Sequence, residues 1–184
     1  MRILRWTVYM LAALVVLMVG APTSAAAGAQ CPHRFGTAQR LVDANGAVVQ
    51  EWTVTGLHPS ADPATGYPLA GQLWEATVTA HAVSGAVTPI IPNLHAMSVA
   101  GEHYPVLWQV ASPTGLSGAT LAEGQSATGK VYFDVTGSAP AGVGYSAGAP
   151  MPAMMWCDDA AMMQMMKSMA GPMQGMDDCP CCAN

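Results

Sequence analysis

The sequence contains few charged residues, and few of these are basic. Asp, Glu, Lys and Arg make up only 9% of the 184 residues, with six Lys and Arg against eleven Asp and Glu. A protein that binds nucleic acid through its phosphates needs a basic surface. The composition therefore argues against a nucleic acid as the partner.

Long hydrophobic runs are also missing. The N-terminal run, residues 6–20, is about fifteen residues long, whereas a helix that spans a bilayer needs roughly 20. Arg2 and Arg5 precede this run, and small residues including Ala29 follow it. The order predicts a signal peptide helix over residues 1–29, with no stable membrane insertion after cleavage. A retained anchor is the alternative.

Motifs of common enzymes are absent from the sequence. It contains no His-Glu-x-x-His, no phosphate-binding loop and no recognisable catalytic pair of carboxylates. We therefore expect a protein without enzymatic activity. Export to the cell envelope or the extracellular space would let disulfides persist, but the five cysteines cannot all pair with one another.

The middle of the chain has the pattern of β-strands. Two runs rich in Val, Thr and Trp, residues 37–43 and 47–55, flank Asn45-Gly46, which predicts a hairpin because both turn positions require positive φ. Residues 73–83 alternate between Trp74, Ala76, Val78, Ala80 and Ala82 on one face and Glu75, Thr77, Thr79 and His81 on the other. Further strands are predicted at residues 87–91, 94–99, 104–111, 127–136, 142–145 and 152–157.

Seven to nine short strands without a strong helix before residue 158 indicate an all-β fold, an antiparallel β-sandwich. The large apolar side chains among these strands are most simply core residues. The predicted core contains Trp52, Trp74, Val78, Leu107, Trp108 and Phe133.

Several stretches of this region resemble a known family. They are Gly66-Tyr67-Pro68, residues 70–78, Val106-Leu107-Trp108-Gln109, Ser117-Gly118-Ala119-Thr120 and residues 126–137. In this order and spacing the chain resembles the small secreted immunogenic antigens of mycobacteria over roughly residues 37–157. The resemblance implies export, an immunoglobulin-like β-sandwich and exposure to the host immune system. It implies no activity and no catalytic residues.

The resemblance ends before the C-terminus, which divides the chain into three parts. We expect a signal peptide at residues 1–29, the sandwich at 30–157 and a tail at 158–184. Residues 151–184 hold ten of the fourteen methionines and four of the five cysteines. Of these, Met154, Met155 and Cys157 fall in the last predicted strand, where a structural role is favoured.

The tail begins with a predicted helix. Asp158 or Asp159 is suited to cap it, and Gly171-Pro172 is suited to end it. At 3.6 residues per turn one stripe of this helix carries Met162, Met165, Met166 and Met169. A stripe of methionines alone favours an amphipathic helix that docks on the sandwich or on a partner, with Met as an adaptable filler.

The terminal cysteines favour a metal site in an otherwise irregular segment. Cys179, Cys181 and Cys182 lie within four residues, and Met173 and Met176 lie just upstream. Thiolates and thioethers are the soft ligands that select Cu(I). Zinc is less favoured as the cofactor, since it would leave the methionines unexplained. The predicted ligands are these five residues together with the four methionines of the stripe.

Other interpretations remain open. Cys31 or Cys157 in a disulfide with a terminal cysteine would make the tail structural, and a disordered tail is a third reading. His95 and His103 flank the Ala100-Gly101 turn, so a hairpin would bring them together as a weak second site. We therefore expect an exported protein whose tail captures soft metal. The alternative is an interaction module with a protein partner at the cell surface or in the host.

Overall fold

The computed structural model describes residues 33–148, 151–160 and 163. These residues form nine strands in two sheets. The strands are β1 (His33–Arg34), β2 (Gln39–Asp43), β3 (Val48–Pro59), β4 (Gln72–Ser84), β5 (Leu94–Ser98), β6 (His103–Pro105), β7 (Ser126–Val135), β8 (Pro140–Tyr145) and β9 (Met154–Cys157).

The two sheets pack face to face. Sheet A has the order β1-β9-β8-β5-β6, and sheet B has the order β2-β3-β4-β7. All neighbouring strands in these sheets are antiparallel except β1 and β9, which pair parallel. The exception joins the two ends of the domain, where no hairpin turn imposes an antiparallel direction. The predicted all-β fold, an immunoglobulin-like β-sandwich, is confirmed.

The hairpin between β2 and β3 follows the prediction from Asn45-Gly46. A 3₁₀ turn at Ala44–Gly46 joins the strands, and Asn45 and Gly46 have φ of 57° and 91°. The alternation predicted for residues 73–83 also appears in β4. Ala76, Val78, Ala80 and Ala82 are buried in the core, with Trp74 packed against it.

The core lies between the sheets and is built around large rings. Trp52, Phe133, Tyr145 and Trp156 are all fully or almost fully buried, and the rings of Trp52 and Tyr145 lie 5.0 Å apart between centroids. The indole N–H groups of Trp52 and Trp156 both donate hydrogen bonds. Trp52 Nε1 donates to Gln50 Oε1 at 2.8 Å, and Trp156 Nε1 donates to the Thr37 carbonyl at 2.7 Å.

Three predictions about the strands and the core were wrong. Residues 87–91 are not a strand, since Val87 makes only an isolated bridge to Leu121 and a 3₁₀ turn follows at Ile91–Asn93. The strand predicted at residues 104–111 is β6, which already ends at Pro105. Beyond Val106 the chain crosses to sheet B, where the Leu107 N–H donates to the Tyr132 carbonyl.

The crossing also explains the error in the predicted core. Tyr104 and Val106 point inward, whereas Leu107 is only partly buried and Trp108 is 63% exposed in the turn that follows.

Within the described ranges no helix is long and apolar enough to cross a membrane.

Candidate functional site

The residues predicted to bind metal through the tail lie outside the described residues. This holds for Cys179, Cys181 and Cys182 and for the six predicted methionine ligands: Met162, Met165, Met166, Met169, Met173 and Met176. The signal peptide and Cys31 also fall outside. The backbone of Asp159 and Ala160 is helical, which agrees with a helix that begins there.

Cys157, the one cysteine of the described part, is a buried free thiol. Burial is the main cause that raises its pKa to about 11, and the nearby carboxylates of Asp158 and Asp159 act in the same direction. A thiol is a good metal ligand only when it is deprotonated. Among the described residues Cys157 is therefore a packed side chain of β9.

The outer face of sheet A carries histidine and methionine side chains. Leu94 and Ala96 of β5 point into the core, so His95 and Met97 point outward. Across the neighbouring strand, Met97 is paired with His103. On the other side, His95 is paired with Gly144, which is paired with Met155. We call His95, Met97, His103 and Met155, together with Gly144, the histidine–methionine face.

The two imidazoles of this face lie side by side. Their ring centroids are 5.2 Å apart and the ring planes are tilted by 30°. His103 is exposed and His95 is partly buried. The hairpin formed by β5 and β6 thus brings the two histidines together, as the sequence predicted.

Glycine in the central strand makes room for the face. A Cβ on Gly144 would lie 2.7 Å from His95 Nε2 and 3.3 Å from Met97 Cε. The His95 ring and the Met97 methyl group therefore both lie directly over the Gly144 backbone. Met97 and Met155 contact each other and are 5% and 6% exposed, respectively. The methionine side chains therefore lie next to the histidine rings. The cross-strand row of His95, Gly144 and Met155 contains no carboxylate.

Burial favours the neutral form of His95. Burial lowers its pKa below the ordinary 6.5, and the neighbouring His103 acts in the same direction, while a hydrogen bond with the Asn93 backbone opposes the change. A neutral imidazole has a lone pair on one nitrogen, which is the form that binds a metal. Among the residues described, no three His, Cys, Asp or Glu lie close enough to hold a metal ion together.

The outer face of sheet B is different, because it carries a network of ionised groups. Lys130 Nζ lies 2.7 Å from Asp62 Oδ2 and 2.9 Å from Glu75 Oε1. Tyr132 donates to Asp62 Oδ2 at 2.8 Å, and the Ser60 hydroxyl donates to Glu75. We call Ser60, Asp62, Glu75, Lys130 and Tyr132 the charged network.

The charged network is suited to structure and not to acid–base catalysis. The hydrogen bond from Lys130 is the largest influence on Asp62 and lowers the pKa of that carboxyl, and the hydrogen bond to Asp62 raises the pKa of Lys130. A general base needs a pKa near the working pH, and these shifts move both groups away from it. A cleft of about 220 Å³ lies beside the network, lined by Asp62, Pro63, Thr65 and residues 111–114.

Sequence reasoning missed the network and found only half of the histidine–methionine face. Asp62 lies in a loop 68 residues from Lys130, and no local pattern connects them. His95 and His103 were found because one turn separates them. Met97 and Met155 were missed as a pair because β8 lies between their strands.

Comparisons with known proteins place the sandwich in a sequence family. The profile described as Domain of unknown function (DUF1942) matches residues 31–156. Immunogenic protein MPB63 of Mycobacterium bovis is 43% identical over 133 residues, which are 70% of this chain and 84% of that protein. The same values hold for Immunogenic protein MPT63 of Mycobacterium tuberculosis. The 1.5 Å crystal structure of that secreted protein has a TM-score of 0.66 and 41% identity, and the match covers 69% of this chain and 96% of the other.

Proposed function

The chain belongs to the family of the mycobacterial immunogenic proteins MPB63 and MPT63, and we propose that it is an exported, non-enzymatic protein. We propose further that its tail binds a soft metal ion, with Cu(I) as the preferred ion. The family resemblance of the sequence is confirmed. The sandwich presents the tail outside the cytoplasm, and the tail sequesters the ion or transfers it to another protein.

Export is supported by two observations. The N-terminus has the order of a signal peptide, and the relative of known structure is described as a secreted protein. We expect the mature chain to begin at Gln30 and to be found outside the cell or in its envelope. Intact mass spectrometry of the exported protein measures the cleavage point, and a retained segment 1–29 would contradict this part of the proposal.

The observation that carries the metal proposal is the position of the sulfur ligands relative to the family match. The match ends at residue 156, so the tail at 158–184 is an addition to the family domain. It supplies the thiols of Cys179, Cys181 and Cys182 with thioethers before them, a donor set that selects monovalent copper. Met173 and Met176 are the nearest thioethers, and the methionines of the stripe are supplementary ligands.

A competition titration tests the tail. The reduced mature protein and the triple variant Cys179→Ser, Cys181→Ser, Cys182→Ser are titrated with Cu(I) against a chromogenic chelator under anaerobic conditions. We expect the triple variant to lose the tightest equivalent, since hydroxyls are hard and weakly coordinating donors. Equal affinity and stoichiometry in the two proteins would rule out the cysteines as primary ligands.

A second function, protein–protein interaction at the cell surface or with the host, is favoured by one residue. Trp108 is 63% exposed and lies beside Leu107 and Val110 at the crossing between the sheets. Exposed tryptophan is enriched at the energetic centres of interfaces. Binding of an envelope or host protein that is lost in Trp108→Ala, but retained in the triple cysteine variant, would favour this function over metal binding.

A further inference from the structure

The β5–β6 hairpin brings two imidazoles close together. Met97 and His103 are directly paired across the strands, and His95 lies two residues before Met97 on the same face. The ring centroids of His95 and His103 are therefore only 5.2 Å apart. At this separation, a small change of side-chain torsion lets both rings reach one ion at about 2 Å per bond.

The turn of this hairpin is fixed by hydrogen bonds. The Ser98 N–H donates to the Glu102 carbonyl at 3.0 Å, and the Ser98 hydroxyl donates to Glu102 Oε2 at 3.0 Å. Glu102 also accepts from the Ser138 N–H at 2.9 Å and from the Tyr104 hydroxyl at 3.0 Å. These bonds anchor the turn to the segment between β7 and β8, so the histidines occupy a site on rigid elements.

A thioether lies beside the imidazoles. His95 Nε2 and Met97 Cε both lie within 3.3 Å of the point where a Gly144 Cβ would be. Met155 contacts Met97 from the far side of β8. The His95 ring and the Met97 side chain thus meet over one glycine, with the His103 ring beside His95 and the Met155 side chain against Met97.

This donor set selects the class of ligand. Thioether sulfur favours monovalent copper, and imidazole binds copper as well. Structural zinc sites use thiolate, imidazole and carboxylate ligands, and no third group of these kinds joins the two histidines among the described residues. Calcium and magnesium need oxygen ligands, which the histidine–methionine face does not offer.

We propose that His95, His103 and Met97 form a binding site for Cu(I) on the outer face of sheet A, with Met155 as an adjacent thioether. Gly144 is a positioning residue, because its missing side chain lets the His95 ring lie over the strand. The site is separate from the tail and does not depend on the tail binding metal.

The test uses the full mature chain and a readout at the site itself. Ag(I), which has the ligand preferences of Cu(I) without its redox chemistry, is added while methionine methyl and histidine ring signals are followed by NMR. We expect the Met97 methyl and the His95 ring signals to shift together and to saturate at one equivalent for this site. In His95→Gln with His103→Gln, the Met97 response should disappear. Cu(I) titrated against a chelator should then show one equivalent fewer.

Two further variants control the result. His81, on the outer face of sheet B, has its Nδ1 2.8 Å from the Ser126 hydroxyl, and His81→Gln should leave the Met97 response unchanged. Gly144→Ala pushes the His95 ring away and should weaken Ag(I) binding by about tenfold or more, as loss of an orienting group does. Thermal unfolding of each variant establishes that the sandwich is intact.

The outcomes separate this proposal from that of the tail. The triple cysteine variant should retain the Met97 response even where it loses the tightest Cu(I) equivalent. A Met97 methyl signal that does not respond to Ag(I) would overturn the proposal, and so would a response that persists in the double histidine variant. In either case the two histidine rings only pack against each other on the hairpin and do not bind the ion.

Discussion

The two outer faces of the sandwich use polar residues in opposite ways. On sheet B, Lys130 is shared between Asp62 and Glu75 at 2.7 and 2.9 Å, so ionised groups neutralise one another. On sheet A, His95 and His103 lie together with thioethers and no carboxylate in their row. The first face has its electrostatic partners within the chain, whereas the second presents donors that an external ion can use.

The two faces should therefore respond differently to the removal of one polar side chain. Removing one member of a closed ionic network leaves another charge unpaired, which is costly in proportion to its burial. Removing an imidazole from the histidine–methionine face leaves no carboxylate of its row without a partner. The four predictions below test this contrast, beginning with the largest expected effect.

Among the substitutions that separate the two faces, the largest effect is expected from two glycines, one in each sheet. A Cβ on Gly129 of β7 would lie 2.4 Å from the Leu116 backbone nitrogen and 2.5 Å from the Gly115 carbonyl carbon. Because backbone cannot move aside cheaply, Gly129→Ala should lower the free energy of unfolding by about 2–3 kcal/mol. Gly144→Ala meets the movable His95 ring instead and should cost about 1 kcal/mol.

Urea denaturation of both variants measures the two costs. The contrast requires Gly129→Ala to be the more destabilising and Gly144→Ala to be the more damaging for Ag(I) binding. Equal losses of stability would show that the His95 ring is held as firmly as backbone, which would contradict the expected difference between the two sheets.

The second prediction concerns acid stability of the charged network. The pKa of Asp62 is lowered from 3.8 mainly by its hydrogen bond from Lys130 and then by that from Tyr132. As the pH falls, Asp62 is therefore protonated in the unfolded chain before it is protonated in the folded chain. The free energy of unfolding should fall as the pH drops below about 4, and the loss is complete below the folded-state pKa of Asp62. In Lys130→Met this decline should be shallower, and the melting temperature at neutral pH should be lower.

Melting temperatures measured from neutral to acidic pH test this prediction. Part of the acid sensitivity should remain in the variant, because the backbone N–H of Ser138 lowers the pKa of Glu102. His103→Gln, a substitution of an exposed residue on the other face, serves as control and should keep the full acid decline. Identical profiles for Lys130→Met and the unchanged protein would mean that the network does not couple folding to protonation.

The third prediction places the other face in a different pH window. Burial lowers the pKa of His95 below 6.5, so the unfolded chain binds this proton at a pH where the folded chain does not. The free energy of unfolding should therefore rise with pH between the folded-state pKa of His95 and 6.5. Above about 6.5 this contribution of His95 reaches its full value. His95→Gln should flatten the melting temperature in this window and leave the acid window of Asp62 unchanged.

Matched measurements on His81→Gln control for a general effect of histidine removal. This variant should retain the slope below 6.5, since His81 belongs to sheet B. A slope that survives in His95→Gln would assign it to another group and would remove the electrostatic support for a neutral imidazole in the metal-free protein.

The contrast between the faces also explains which features were predictable from the sequence. Strand β4 was predicted within one residue because every second side chain is apolar, and the β2–β3 turn because Asn45-Gly46 has few alternative conformations. These are local signals. The pairing of Met97 with Met155 across Gly144 depends on the order of strands in sheet A, which no local pattern encodes. Lys130 and Asp62 were missed for the same reason.

The fourth prediction concerns the seam, the segment of residues 106–108 where the chain crosses from sheet A to sheet B. Its expected effect is the smallest of the four. The chain leaves sheet A after Val106, and Trp108 is 63% exposed, although the sequence predicted it as core. Trp108→Ala should change the free energy of unfolding by no more than about 0.5 kcal/mol, as is usual for exposed positions. Trp52→Ala, at a fully buried ring of the same size, should cost about 3–5 kcal/mol.

The pair of tryptophan variants distinguishes packing from recognition at the seam. If Trp108→Ala were nearly as destabilising as Trp52→Ala, the exposed ring would be part of the core in solution, and an interface role would lose its support. A stable Trp108→Ala protein means that the exposed ring adds nothing to the core, as the interface role requires. Measured by urea denaturation, the two values decide whether the Trp108 ring belongs to the interior or to the surface of the sandwich.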